Sequence, residues 1–374
     1  MGLFQAVIDQ ASDGAGDGEA SCAWSPSLVT AAKDEGLFCM ALPRRLGGLE
    51  MEPAAMVDVL ERLAHADGAA GWCGFIGNAT SFFGWLEPEV ASVLLRGAPH
   101  VAAASVFAPT GQAVPNGGDG YTVTGRWPFA SGCRHSEWIQ LGVMVHGDEG
   151  MQVRTDGRPD WRFAYLPMSE VEVVDDWDTF GLRGTGSNDI AVHGATVPAE
   201  HLAMPMFDAP RADEPLYRMS FWSILAVFMT PFPLGVARRA LEEAEQALRD
   251  QPEGGRPLGR LDPQMQHELG RARSRLWSAR AMLDDALGRA WEDAVAGTPQ
   301  RTEHEDRLSL AKHQGMAAAL DVVDAAYGVS GSGVIRRGNV IQRCFRDLHT
   351  ARKHLGYGYE GYRVAAKRAL GLPV

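Results

Sequence analysis

The residues best equipped for chemistry fall in four short stretches. "WPFASGCRHSEW", Trp127 to Trp138, gathers two indoles, Phe129, the Ser131 hydroxyl, Cys133 and His135. "GLRGTGSND" contains Gly184, Thr185, Gly186 and Ser187, a turn whose N–H groups and hydroxyls can grip carbonyl or phosphate oxygens. "GRPLGRLDPQMQ" sets Arg256 just before a helix expected to open at Asp262-Pro263, a position suited to clamping phosphate. "RDLHTARKHLGYGYEGY" carries His349, His354 and Glu360; the two histidines are five apart and do not share a helical face. His354 stands where the helical pattern meets Gly356 and Gly358, as an acid/base group or as a cap. Each stretch also has an ordinary reading: aromatic residues pack at strand ends, Ser-Gly turns the chain, and a loop arginine is solvated.

The elements that must position these residues change character along the chain. Up to about residue 97 apolar residues recur in steps of three and four, as in "EPAAMVDVLERLAHADGAAGWCGF", with a break expected near Asp67. From about Val101 to Leu202 the period becomes two, and short β-branched or aromatic runs alternate with Gly, Pro, Asn and Asp. Beyond Tyr217 the pattern is helical again. Met265, Leu269, Ala272, Leu276, Ala279, Leu283, Ala286 and Ala290 form a stripe that belongs in a bundle. Further helices are expected from about Glu303 to Tyr327 and from near Asn339. Alternating βαβ units are absent, and the glycine-rich run Gly328–Gly333 follows a helix, so it is no dinucleotide fingerprint.

Composition narrows the partners. A net charge of −12 argues against an extended nucleic-acid surface or an anionic membrane. From Arg336 to Arg368 nine Lys/Arg face only Asp347 and Glu360, a locally basic tail readable as a solvated helix or a phosphate seat. Five scattered cysteines fit a reducing cytoplasm, and no CxxC or HExxH signals a metal. The acidic, glycine-containing N-terminus is no signal peptide. Phe221 to Val236 is cut by Pro231 and Pro233, so no apolar run is expected to span a membrane.

Taken in order, the four stretches resemble the acyl-CoA dehydrogenase superfamily. "WPFASGCRHSEW" is similar to the W-x-F-x-SG…W loop of the flavin-dependent monooxygenases built on that fold, and "GLRGTGSND" to their RGTGS turn. Arg256, Gly259 and Gln266 resemble an R…G…Q helix opening, with Arg256 one residue closer than usual. "IQRCFRDLHTARKH" resembles the QR…RD helix followed by a histidine. The fold implied is α+β and multidomain: an N-terminal helical domain (1–98), a central small β-barrel or sandwich domain (99–208) and a C-terminal four-helix bundle (209–374). Dehydrogenases of this superfamily carry a glutamate base in a Y-E-G-T motif. Glu360 lies thirteen residues after Asp347, about five too far, and His354 and Leu355 stand where that base would fall. A histidine there points to the two-component monooxygenases, the group D hydroxylase-like branch.

The resemblance implies a two-component monooxygenase. Reduced flavin (FMNH2 or FADH2) from a separate NAD(P)H-dependent flavin reductase would react with O2 to give a C4a-hydroperoxyflavin, which oxygenates an aromatic or polycyclic small molecule. By position, Trp127 and Phe129 would line the isoalloxazine pocket. Ser131 would bond near flavin N5, Gly132 would let the backbone approach, and Thr185, Gly186 and Ser187 would contact the ring or ribityl end. Arg256 would bind the flavin phosphate of a neighbouring subunit in a homotetramer. His354 would bond the peroxide or pass it a proton. Asn78 replaces a substrate-contacting histidine of some relatives and, with Trp72, Phe82 and Phe83, would face substrate. Two rivals stand beside this: an acyl-CoA dehydrogenase-like FAD enzyme using Glu360 as base, and an N-oxygenase of an amino sugar or other amine.

Overall fold

A computed structural model describes residues 2–147, 150–250 and 262–373. The first region is helical: α1 (Gln5–Ser21), α2 (Pro26–Asp34), α3 (Pro53–Ala66), α4 (Gly68–Gly77) and α5 (Pro88–Leu94). Asp67 makes the expected break between α3 and α4. Its backbone is extended, and its carboxylate accepts from Ala70 N at 2.9 Å to cap α4.

The central strands are β1 (Ala103–Pro115), β2 (Gly120–Trp127), β3 (Trp138–Gly147), β4 (Gly150–Met151), β5 (Trp161–Pro167), β6 (Glu172–Val174), β7 (Asp189–Pro198) and β8 (Leu202–Ala203). They form one sheet in the order β6-β7-β2-β1-β3-β5-β8, with β4 on the end of β3. Although β2 and β3 are consecutive, they do not pair. β1 lies between them, antiparallel to β2 and parallel to β3. The loop from Pro128 to Glu137 is therefore a crossover past β1, free to carry side chains away from the sheet.

The last region holds α6 (Phe221–Met229), α7 (Pro231–Arg249), α8 (Pro263–Val295), α9 (Thr302–Val329), α10 (Val340–Ala351) and α11 (Glu360–Ala369). Asp262 caps α8 and Asn339 caps α10, each side chain accepting from two backbone N–H groups. One sequence expectation is corrected here. Pro231 starts α7, where a missing N–H costs nothing, so Phe221–Arg249 is long and apolar enough to cross a membrane by length and composition. Yet 83% of its most apolar window is buried within the protein, which explains the apolarity as core packing. The bundle stripe is inward as expected at Ala272, Ala279, Leu283, Ala286 and Ala290, and half-buried at Met265, Leu269 and Leu276.

Two hydrophobic cores result. One is confined to the sheet region, from Ala104 to Leu202. The other runs from Phe4 to Tyr357 and joins the N-terminal helices to the last ones.

Candidate active site

The site grows from two loops zipped together. Ala130 N donates to Asn188 O (3.0 Å) and Gly132 N to Thr185 O (3.3 Å). Asn188 Oδ1 accepts from Asp176 N and Trp177 N, both at 3.2 Å. The 128–137 crossover and the 182–188 turn thus hold one fixed relation.

The α10 helix bolts this pair down from the other side. Asp347 Oδ1 accepts from Leu182 N at 2.6 Å, and Arg346 donates to Phe180 O at 2.9 Å. The backbone of α10 passes so close to Gly181 that a Cβ there would overlap Arg346 O. This is the physical content of the "RD" pair. Burial, and then the neighbouring Asp67, push the Asp347 carboxyl up to about 7.

Inside the zipped loops runs a hydroxyl chain. Trp72 Nε1 donates to Ser131 Oγ (2.9 Å); Ser131 Oγ lies 2.7 Å from Ser187 Oγ, and Ser187 Oγ 2.6 Å from Thr185 Oγ1. Thr185 Oγ1 donates to Leu182 O at 2.7 Å. A hydroxyl has one proton and two lone pairs. Thr185 spends its proton on a carbonyl, so Ser187 must donate to Thr185 and Ser131 to Ser187. Trp72 fills one lone pair of Ser131. What Ser131 retains is a single open acceptor.

Trp72 also meets His354, ring to edge, at 5.4 Å between centroids. Phe75 and Phe232 pack edge-on around the same indole at 4.9 and 5.2 Å. His354 keeps access to solvent while its ring packs on Trp72 and Tyr357. Desolvation, with a smaller contribution from the Lys312 charge, pushes its imidazole down to about 4. Gly356 N donates to Nδ1 at 3.1 Å, so the neutral ring carries its proton on Nε2. His354 therefore caps its turn and presents an N–H donor.

The loop side of the site is aromatic. Phe129 is 66% exposed at φ +66°, a conformation a bulky side chain rarely adopts. Its ring meets half-buried Trp177 edge-on at 6.3 Å. A flat apolar face held open, a lone acceptor on Ser131 and an N–H donor on His354 fit a tricyclic ring with polar edges. The residues present are thus compatible with a flavin.

Several expected residues are placed elsewhere. Trp127 lines no pocket: it is fully buried in the sheet core, donates to Gly142 O at 2.7 Å, and fills space that only glycines at 111 and 125 leave. Asn78 faces no substrate either. It is fully buried, its Nδ2 donates to Leu37 O (2.9 Å) and Gly74 O (2.8 Å), and Oδ1 accepts from Met40 N (3.0 Å). Phe83 packs on Trp138 and Tyr165 in the core, and Phe82 sits among Trp85, Phe107 and Phe221. Of that group only Trp72 reaches the site. Arg256 and Gly259 lie outside the described residues. His135 stacks between Trp24 and Phe38, and His349 pairs with Asp324. Glu360, the base of the dehydrogenase rival, is exposed on α11 and ion-paired with Arg363, which holds its carboxyl below the usual range. Sequence reasoning missed Phe75, Trp177, Phe232 and the buried Lys312.

Comparison with known proteins bears on the fold that carries these residues. Residues 227–358 match the acyl-CoA dehydrogenase C-terminal domain family. The chain is 29% identical to an indole-3-acetate monooxygenase of Pseudomonas putida over 372 residues, covering 98% of this chain and 93% of that protein. It is 27% identical to the flavin-dependent monooxygenase oxygenase subunit HsaA of Rhodococcus jostii, covering 92% and 91%. The crystal structure of the HsaA monooxygenase from M. tuberculosis superposes with a TM-score of 0.88 at 25% identity, covering 99% of this chain and 97% of that one. Residues 227–358 thus carry the acyl-CoA dehydrogenase C-terminal domain, and over nearly its whole length the chain is similar to flavin-dependent monooxygenase oxygenase subunits.

Proposed function

We propose that this oxygenase acts on a flat aromatic or polycyclic small molecule, and that Ser131 and His354 divide the work of holding the flavin and its reacting oxygen. One observation carries the reading: Trp72 contacts both residues, leaving Ser131 as an acceptor and His354 as a neutral donor. Bound reduced flavin supplies the activation of O2. The open lone pair of Ser131 suits the N5–H of reduced flavin; oxidised flavin offers a lone pair there and meets repulsion. Phe129, with Trp177 behind it, would carry the ring face, and Thr185, Gly186 and Ser187 would follow the ribityl side. Arg256 is assigned the phosphate by its sequence position. His354 Nε2–H would hold the reacting oxygen by a hydrogen bond without itself being an acid near neutral pH. Trp72, Phe75 and Phe232 offer an apolar wall that excludes water.

Supply of reduced flavin by a separate reductase accords with relatives that are oxygenase subunits. The relatives named for indole-3-acetate support an aromatic substrate. Residues 99–208 are read as the unit that carries the ring-facing loops, between helical regions 1–98 and 209–374. A homotetramer is supported by Trp277, 77% exposed on α8, and a cytoplasmic setting by five free thiols. The test is a coupled assay with a flavin reductase under 18O2, read by mass spectrometry. Incorporation of one 18O atom into an aromatic substrate is expected. A purified yellow protein that bleaches anaerobically with an acyl-CoA would sink the reading.

A further inference from the structure

Lys312 is 8% exposed, near the middle of α9, and makes no hydrogen bond or ion pair among the described residues. Burial is the one influence resolved on its ammonium, which it pushes down to about 8; no carboxylate acts on it. At neutral pH it remains mostly charged. Buried lysines are ordinarily paired, because an unpaired buried charge costs several kcal/mol in general terms.

Its surroundings tie it to the site. One turn further along α9, Gly315 packs against Thr230, at the junction of α6 and α7. From that junction Met229 O accepts from Tyr357 Oη at 2.7 Å, and the Met229 side chain lies against Gly356. Tyr357 and Gly356 belong to the turn that His354 caps. Three residues past Met229, Phe232 packs on Trp72. The Lys312 charge is felt by His354 and by His313, and Arg352 adds to the field at His313. The ionisable groups resolved around Lys312 are thus cationic or neutral. Lys312 is a largely buried cation that keeps some access to solvent and has no anion of its own among the described residues.

We propose that Lys312 binds a carboxylate carried by the aromatic substrate, so that the natural substrate is an aryl acid whose ring lies against Trp72 and whose acidic arm reaches α9. This rests on the aromatic reading given above. A single ammonium with three donors suits a carboxylate arm, and entry of that arm supplies the charge the fold leaves unpaired.

The test is anaerobic calorimetry on the protein loaded with reduced FAD, using matched neutral and acidic probes: indole-3-acetate with indole-3-acetamide, phenylacetate with phenylacetamide, and benzoate with benzamide. At least one acid should bind about 10- to 100-fold more tightly than its amide. Lys312→Met should abolish that preference while keeping the amide's affinity, and Lys312→Arg should retain part of it. Lys312→Met should also raise Tm, because a stranded charge is removed. The proposal fails if every acid binds no better than its amide in the unaltered protein, a result that needs no variant. It fails too if Lys312→Met weakens acid and amide equally. Product formation with 18O2 is scored separately. Acid preference without oxygenation would refute the proposed reaction and leave Lys312 as an anion seat. Oxygenation of amides without acid preference would do the reverse.

Discussion

Removal of the Ser131 hydroxyl by Ser131→Ala probes the site's central element. The side chain spends its proton on Ser187 and one lone pair on Trp72, leaving one acceptor. If that acceptor takes the N5–H of reduced flavin, its loss removes one hydrogen bond, about 0.5–1.5 kcal/mol, or roughly 2- to 13-fold in Kd. Oxidised flavin should bind unchanged or slightly better, because a lone-pair clash disappears. A second effect is independent of flavin: the buried Trp72 N–H loses its acceptor, costing about 1–3 kcal/mol of stability. The assay is an anaerobic titration with dithionite-reduced flavin, repeated in air with oxidised flavin, alongside urea unfolding of the flavin-free protein. Trp72→Phe is the control, since it removes the donor and keeps Ser131; preference for reduced flavin should persist. Equal losses for both redox states in Ser131→Ala would refute the reasoning and reduce Ser131 to a packing residue.

Phe129→Gly should relieve about 1–2 kcal/mol of left-handed strain while giving back about 0.5–1 kcal/mol of backbone entropy, so stability should hold or rise slightly. Flavin affinity should fall about tenfold through the lost ring face, and Phe129→Ala should lose the affinity without the relief; a flavin titration and a thermal melt read both. Asp347→Asn should leave Tm nearly unchanged at and below about pH 4 and raise it progressively up to about pH 7. The folded carboxyl titrates near 7 against an unfolded value near 4, so the unaltered protein loses stability as pH rises through that window, and the amide does not. A Tm difference independent of pH would contradict this, and Asp347→Ala should destabilise at every pH by orphaning Leu182 N.

Features governed by neighbours in the chain were legible. Asp67, Asp262 and Asn339 cap helices where the sequence places breaks and starts, because capping is a contact over two or three residues. The four chemistry-bearing stretches also carried the resemblance, whereas the contact between the RD helix and the segment that leads into the RGTGS turn came only with the structure. Which aromatic faces outward was not legible. Trp127 and Phe129 share a strand parity, but the strand ends at Trp127 and Phe129 turns at φ +66°. Nor could spacing from Asp67 reveal that Asn78 is consumed by Leu37 and Met40, some forty residues earlier. Lys312 gave no local signal, since a lysine within a helix is ordinarily solvated.

The two cores have a consequence for how this protein can be taken apart. Every member of the sheet core lies between Ala104 and Leu202, whereas the other core needs residues from both sides of that span. The sheet is thus an insertion within a helical body whose halves complete one another. A chimera that exchanges the middle segment alone would keep the sheet core whole and, among the buried members of the other core, replace Phe163, Tyr165 and Leu182. One that splices at a single point after the sheet would give the body halves from two parents. Ring-facing loops can then be traded between relatives as a cassette, while Lys312 and His354 must travel together with Trp72 or stay behind with it.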